Sequence, residues 1–473
     1  GRVGNSGGAA AFAVTIESNG NVSVAQFMSL RHSNTASNDE SVDLAGKISA
    51  VLTATDHDGD VVSQSVSIGN RISFDDDGPQ VGSNGTVLLD DDNLFGGNSG
   101  GIGDNPAPVN AIGTLNHDFG ADGGAIAWLN SGAPSGFSYQ LAGNNLQILQ
   151  GTTLVVTVTL NPATGAYTVT QNAPVMHVTG GSENNQSFDL TYRVTDGDGD
   201  RVTGTLSINV DDDTPVLTGT IVTATADEDD IDTPSSLGTS PDDGNGDGSY
   251  TGDADTSTGP ASVTGSIGSV VSFGADGQAA GGGFGFASNA IATMTALGLS
   301  SKGGALSYVI LGDTVLAYVD NGNGSYSSAD RPVFALQLND STGAFSFQLY
   351  DQLDHVAGNG QNTALRTSTG SIAGIDLGAI IDATDGDGDR VDLDGRLIVT
   401  VTDDVPEIAI TAIGSVTIDE TAGNQDDDSS STSVRDLFNS VGNRGSDPDL
   451  TATYARDDVI NTSVSGGADD TVA

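Results

Sequence analysis

Cysteine is absent from the 473-residue chain, which excludes disulfides, thiolate metal sites and a cysteine nucleophile. Basic residues are scarce: two Lys (Lys47, Lys302) and twelve Arg. Nucleic-acid binding needs a basic footprint, so that class is excluded. An anionic membrane surface would repel a chain of net charge −49. No apolar run approaches the roughly 18 residues of a membrane span, which excludes direct insertion by a helix. Aromatic residues make up 5% of the chain and tryptophan occurs once, so Trp128 reads as core and no sugar-stacking platform is visible. Glutamate is the sharpest scarcity, with six Glu against 57 Asp. Glu favours helices whereas Asp favours turns and caps. The bias therefore points to loops, and to short carboxylates that suit a hard cation.

What is present is small and β-branched. Glycine contributes 66 residues, and apolar residues make up 36% of the chain. The segments 154–160 (LVVTVTL), 202–210 (VTGTLSINV) and 396–401 (RLIVTV) have strand length and composition. Clusters of Gly, Asn, Asp and Pro separate such runs at short intervals. The pattern predicts an all-β protein of tandem immunoglobulin-like or cadherin-like antiparallel β-sandwich domains. Two segments carry helical signals: 287–299, a short helix or a strand with a turn, and 433–441, a candidate helix.

Internal repeats set the organisation. TDHDGD at 55–60 recurs as TDGDGD at 195–200 and 384–389. Each copy is followed by an acidic run ending in Pro: DDDGP at 75–79, DDDTP at 211–215 and DDVP at 403–406. A second acidic cluster follows each Pro, at 90–92, 227–230 and 419–420. FGADG occurs at 119–123 and 273–277, and a Gly-turn hairpin at 160–167 matches one at 338–345. A His lies 12 residues after the turn Gly in three places: Gly20 to His32, Gly165 to His177 and Gly343 to His355. The implied boundaries are 1–80, the C-terminal part of a repeat; 81–216, a complete repeat; 217–407, a longer repeat with an insertion; and 408–473, the start of another. The chain reads as a stretch of a longer array.

The D-x-D-G-D string places three carboxylates at alternate positions of a tight loop, with Gly supplying the curl. This matches the first half of a calcium loop. A solvated hairpin turn is the plainer reading of one such string. Recurrence in register with DDxP, and the repulsion among so many neighbouring carboxylates, favour a cation. The candidate Ca²⁺ ligands are Asp56, Asp58 and Asp60; Asp196, Asp198 and Asp200; Asp385, Asp387 and Asp389. With them go the runs Asp75, Asp76 and Asp77; Asp211, Asp212 and Asp213; Asp403 and Asp404; and the following clusters Asp90 and Asp91, Asp227 and Glu228, and Asp419 and Glu420. These groups are expected to meet at joints between neighbouring repeats, where Ca²⁺ would stiffen a linker that Pro already restricts. The loop 320–330 offers Asp320, Asn321 or Asn323, and Asp330, against the alternative of an Asn-Gly hairpin turn. The stretch 241–255 reads as a mobile insertion or a further cation loop. The three recurrent histidines read as structural, because no Ser or second His recurs beside them. Nothing marks a catalytic acid, so no enzyme is expected.

The combination of TDxDGD, DDxP, the acidic cluster after it, FGADG, the Gly-turn hairpin and the G-x12-H spacing resembles repeat domains of giant bacterial RTX adhesins. The resemblance implies an Ig-like sandwich array with calcium at loops and joints, exported by type I secretion to the extracellular bacterial cell surface. It implies the role of an extender that projects a binding tip in biofilm adhesion, with neighbouring repeats of the same array as partners. The alternative is a self-assembling surface layer or filament, in which the incomplete ends at 1–80 and 408–473 pair between chains. The third class, an enzyme or a carbohydrate- or ice-binding module, would need a concave site that the sequence does not show.

Overall fold

Period-two alternation is clearest over 185–196 and 201–211, and these segments form one long hairpin. Asn185–Asp196 pairs antiparallel with Arg201–Asp211 from Thr195↔Arg201 to Asn185↔Asp211. Alternate side chains Phe188, Leu190, Tyr192 and Val194 point inward and are fully buried, as expected of a strand with one face on a core. The computed structural model describes residues 1–35, 37, 39–100, 103–180, 182–238, 259–358, 361–405, 407–418, 432–445, 454–465 and 468. Its described elements are mostly strands. The chain forms two compact units, Gly1–Thr218 with Val271–Gly283 and Ala383–Val391, and Gly219–Val270 with Phe284–Asp382 and Asp392–Ala473.

The first unit holds a complete β-sandwich. One sheet has the order Phe137–Ala142, Asn145–Gln150, Thr153–Leu160, Ala166–Gln171, Asn110–Thr114, with every pair antiparallel. The facing sheet has the order Gly124–Trp128, Asn185–Asp196, Arg201–Asp211, Val87–Asp90, and its last pair is parallel. Leu146, Ile148, Val156, Val158 and Val169 from one sheet meet Ile126, Phe188, Leu190, Leu206 and Ile208 from the other in a single core. Trp128 lies in that core, edge-on to Tyr192 at 6.1 Å. The Tyr192 hydroxyl donates to the Asn116 carbonyl at 3.2 Å, so the buried phenol is satisfied. A Cβ on Gly204 would lie 2.4 Å from that hydroxyl, which requires glycine opposite the ring.

Ahead of the sandwich, Phe12–Ile16 pairs with Val22–Gln26, and Ser49–Thr55 with Val61–Ser67. The second hairpin carries the 56–60 loop at its tip, as 185–211 carries 196–200. Leu52 and Val62 on this hairpin are 77% and 73% exposed, so no described strand covers them.

The second unit repeats the plan. Its larger sheet runs Ala261–Ser266, Ala344–Leu349, Arg331–Leu338, Thr314–Val319, Gly304–Leu311, Ser300–Ser301. Val222–Asp227 pairs parallel with Leu397–Thr402, as Val87–Asp90 pairs with Arg201–Asp211. Of the two helical signals, 287–299 forms a helix at Ala290–Leu297, closed by Gly298 in the left-handed region (φ +63°). The other is shorter than expected, with helix only at Thr432–Asp436. Among the described residues no helix is long and apolar enough to cross a membrane.

Candidate metal centre

Two copies of one arrangement lie in the first unit. Each brings together a D-x-D-G-D loop, an acidic run and an FGADG turn. The first uses 196–200, 75–77 and 119–123; the second uses 385–389, 211–213 and 273–277.

The loop closes on itself first. Asp196 Oδ1 accepts from the N–H groups of Gly199 (2.9 Å) and Asp200 (2.7 Å). Asp385 Oδ1 accepts likewise from Gly388 (3.0 Å) and Asp389 (2.7 Å). Gly199 and Gly388 sit at φ +118° and +112°, in the region that favours glycine. One oxygen of the leading Asp is thus committed to the curl. The other, Oδ2, is buried with no hydrogen-bond partner among the described residues in both copies.

The acidic run pins the FGADG turn. Asp77 accepts from Ala121 N (2.9 Å) and Asp213 from Ala275 N (2.5 Å). Gly120 and Gly274 have φ +79° and +90°, and a Cβ there would lie 2.8 Å and 2.6 Å from those carboxylate oxygens. The turn then delivers a further acid to the loop: Asp276 Oδ2 accepts from Asp387 N at 3.1 Å. Buried oxygens without a hydrogen-bond partner accumulate at this convergence: Asp76 Oδ2, Asp122 Oδ1 and both oxygens of Asp200 in one copy; Asp276 Oδ1, Asp387 Oδ1 and Asp389 Oδ2 in the other. A buried acceptor without a donor costs about 1–3 kcal/mol, more when charged. So many, all acidic and all oxygen, fit a hard cation's shell.

The histidines complete the arrangement. His32 N–H donates to Asp198 Oδ2 (3.0 Å) and His177 N–H to Asp387 Oδ2 (2.9 Å). Their rings face the middle residue of the acidic run, with His32 Nδ1 2.9 Å from Asp76 Oδ1 and His177 Nε2 3.9 Å from Asp212 Oδ1. The sequence reading of these residues as structural did not place them beside the acidic runs. The constant spacing from the turn Gly was the available signal, since it fixes each His where its strand pair ends.

Part of the arrangement recurs in the second unit, without a D-x-D-G-D loop. His355 Nε2 is 3.4 Å from Glu228 Oε1, Asn362 donates to Asp403 Oδ2 at 2.7 Å, and Ala468 N donates to Asp404 Oδ2. In the first unit Asn184 donates to Asp212 and Ala275 to Asp213. Asp403 and Asp404 therefore stand for Asp212 and Asp213, and Thr402 stands for Asp211. The shorter DDVP run has lost only its first acid. Asp419, Glu420, Pro406 and the stretch 241–255 lie outside the described residues.

A neighbouring cluster gathers Asp90, Asp92, Asp104, Asp211 and Glu183. Asp90 and Asp227 serve as caps, accepting from Asp92 N (2.9 Å) and Asp229 N (3.2 Å) at the starts of short 3-10 turns. Asp211 Oδ2 accepts from Asn105 N at 2.7 Å. Sequence reasoning singled out neither Asp104 nor Glu183, which belong to no repeated motif. Asp122 and Asp276 were within a repeated motif that served only to fix the register.

The electrostatics follow from burial and crowding. Burial, then Asp276 and Asp387, push Asp385 up to about 8. Burial and Asp387 push Asp212 to about 10, and burial and the same residue push Asp276 to about 7. Burial, Asp213 and Asp90 push Asp92 to about 8, while burial, Asp104 and Asp211 push Glu183 to about 7. Burial and Asp196 push Asp200 to about 6. Without a countercharge Asp92, Asp212 and Asp385 keep protons that an ordinary carboxylate has lost at neutral pH.

The other candidates are arranged differently. Asp56, Asp58 and Asp60 form an exposed triad. Asp75 is exposed and accepts from Ser41 Oγ at 2.5 Å. Asp320 accepts from the N–H groups of Gly322, Asn323 and Gly324 (2.8, 3.0 and 2.9 Å), and Asp330 from Asn321 N (2.9 Å) and Ser327 N (2.5 Å). Asn323 Oδ1 accepts from Ser325 N at 2.9 Å. These side chains are occupied in shaping their own loop.

A family profile described as a domain of unknown function, DUF5801, matches residues 1–69 and 86–209. Similar solved structures include protocadherin gamma B7 extracellular cadherin domains 1–4, at 12% identity over 86% of this chain and 69% of that one, with TM-score 0.21. PcdhgB3 EC1–4 gives 12%, 85%, 69% and 0.19, and zebrafish RET cadherin-like domains 1 to 4 give 12%, 84%, 63% and 0.15. No curated protein matches the chain.

Proposed function

We propose that this chain is an extracellular spacer of a bacterial surface adhesin, in which Ca²⁺ bound between successive sequence repeats sets the stiffness of the array. One observation carries the reading: a loop from one repeat converges on an acidic run from the preceding repeat, leaving buried carboxylate oxygens that lack donors. Asp196, Asp198, Asp200, Asp76 and Asp122 would hold the ion in one copy, and Asp385, Asp387, Asp389 and Asp276 in the other. The ion supplies positive charge, not chemistry, and no catalytic role is assigned. Extracellular calcium modules bind at about 10⁻⁴–10⁻³ M, so the sites would be vacant in a low-calcium cytoplasm and filled outside. That difference suits export of a loose chain by type I secretion. One site held at about 100 times its Kd contributes roughly 2.7 kcal/mol. Calorimetry in calcium and in EDTA tests the reading; a melting temperature unchanged by EDTA refutes it.

A second reading, self-association through 1–80 and 408–473, is favoured by the exposed apolar residues of the Ser49–Thr55/Val61–Ser67 hairpin. Sedimentation in calcium separates the two, since a monomer at all concentrations rejects self-association.

A further inference from the structure

The ring of His177 is poorly explained by an oxygen-only calcium site. Its side chain is fully buried, and neither ring nitrogen has a hydrogen-bond partner among the described residues. Nε2 lies 3.6 Å from Asp91 Oδ2 and 3.9 Å from Asp212 Oδ1. Both separations exceed the 2.7–3.2 Å of a hydrogen bond to nitrogen. The three ligand atoms all lie within 4.8 Å of one another. Ligands of a tetrahedral ion at about 2.0–2.1 Å stand roughly 3.4 Å apart, and the two separations from His177 Nε2 lie within about 0.5 Å of that spacing.

The carboxylates are held in place independently of the ring. Asp91 accepts from Val175 N at 2.8 Å through Oδ2 and from Gln171 Nε2 through Oδ1. Asp212 Oδ1 accepts from Asp213 N at 2.9 Å. The second unit repeats the construction, with Leu353 N donating to Glu228 Oε1 at 2.7 Å beside His355. His32 differs, because its Nε2 already has a hydrogen-bond partner in the Phe74 carbonyl at 3.2 Å, while Nδ1 stands 2.9 Å from Asp76 Oδ1.

We propose that His177, Asp91 and Asp212 form a site for a borderline divalent transition ion of the Zn²⁺ class, distinct from the all-oxygen loop site beside it. An imidazole with two carboxylates matches the ligand preference of zinc, whereas calcium takes oxygen. The site does not depend on the calcium reading. The probe is Zn²⁺ alone, titrated into the full chain held in excess Ca²⁺. The expected result is binding of Zn²⁺ that His177→Gln weakens by more than about ten-fold, while Asp385→Asn leaves it unchanged. Zinc-edge X-ray absorption on the wild-type chain needs no variant; it should show one imidazole and oxygen ligands at about 2.0 Å. Zn²⁺ binding that His177→Gln does not weaken, an oxygen-only shell, or no binding overturns the proposal. Loss of calcium stabilisation in Asp385→Asn with Zn²⁺ binding intact would show the two sites to be separate.

Discussion

Asp385→Asn alters the charge of the 385–389 loop while leaving its shape in place. Asn keeps an oxygen that can accept from Gly388 and Asp389, the two bonds that curl the loop. In the metal-free chain the wild-type carboxyl is pushed up to about 8 by burial, Asp276 and Asp387. Each pH unit between the ordinary aspartate value of 3.8 and the working pH costs about 1.4 kcal/mol. At pH 7 that gives an upper bound of about 4 kcal/mol, which the amide avoids. In calcium the balance reverses, because the variant loses a charged ligand and up to roughly 2.7 kcal/mol of linked stabilisation from that site. Calorimetry of both proteins, in EDTA and in millimolar calcium, reads the effect. The transition containing this joint should move up in EDTA and down in calcium, by about 2–4 °C per kcal/mol for a unit of 150–250 residues. A shift of the same sign in both conditions would refute the idea that Asp385 is a cation ligand and not a structural cap.

Three further outcomes follow from the same geometry. In EDTA, stability should be greatest near pH 4 and fall as the pH rises through about 6 to 8, because the folded values of Asp200, Asp276 and Asp385 lie above the ordinary carboxylate value; a pH series of melting curves in chelator checks this, and calcium should flatten the decline. Gly274→Ala forces a Cβ to 2.6 Å from Asp213 and strains a φ of +90°, costing about 1–3 kcal/mol, and calcium titration calorimetry should show weaker binding at that joint. Asp320→Ala removes the acceptor of three backbone N–H groups and should cost about 1–3 kcal/mol equally in calcium and in EDTA, as melting curves would show.

The fold was legible because a half-buried strand writes itself in period two. The run 185–211 displays its inner face as Phe188, Leu190, Tyr192, Val194, Leu206 and Ile208, and all are buried. Helix length was less legible: 433–441 has a helical pattern, but only Thr432–Asp436 is helical, and so short a segment has little intrinsic stability. Within the candidate site, the D-x-D-G-D loops and the acidic runs were readable because repetition isolates them from 57 Asp. The FGADG acids, Asp122 and Asp276, were visible as a repeat but not as candidate ligands, since only tertiary packing brings Asp276 Oδ2 to Asp387 N. The histidines were recognised by spacing but not placed beside the acidic runs, because their acidic neighbours come from segments far away in sequence. Glu183 and Asp104 gave no signal, as each occurs once and is recruited by its fold neighbours.

The central claim is that cations hold successive repeats at fixed geometry through carboxylates that repel one another without them. Small-angle scattering of the full chain in millimolar calcium and in EDTA tests this most directly. The account predicts one narrow distance distribution in calcium and a broader one with an altered maximum dimension in EDTA, restored when calcium is returned. Identical curves in the two conditions would contradict it.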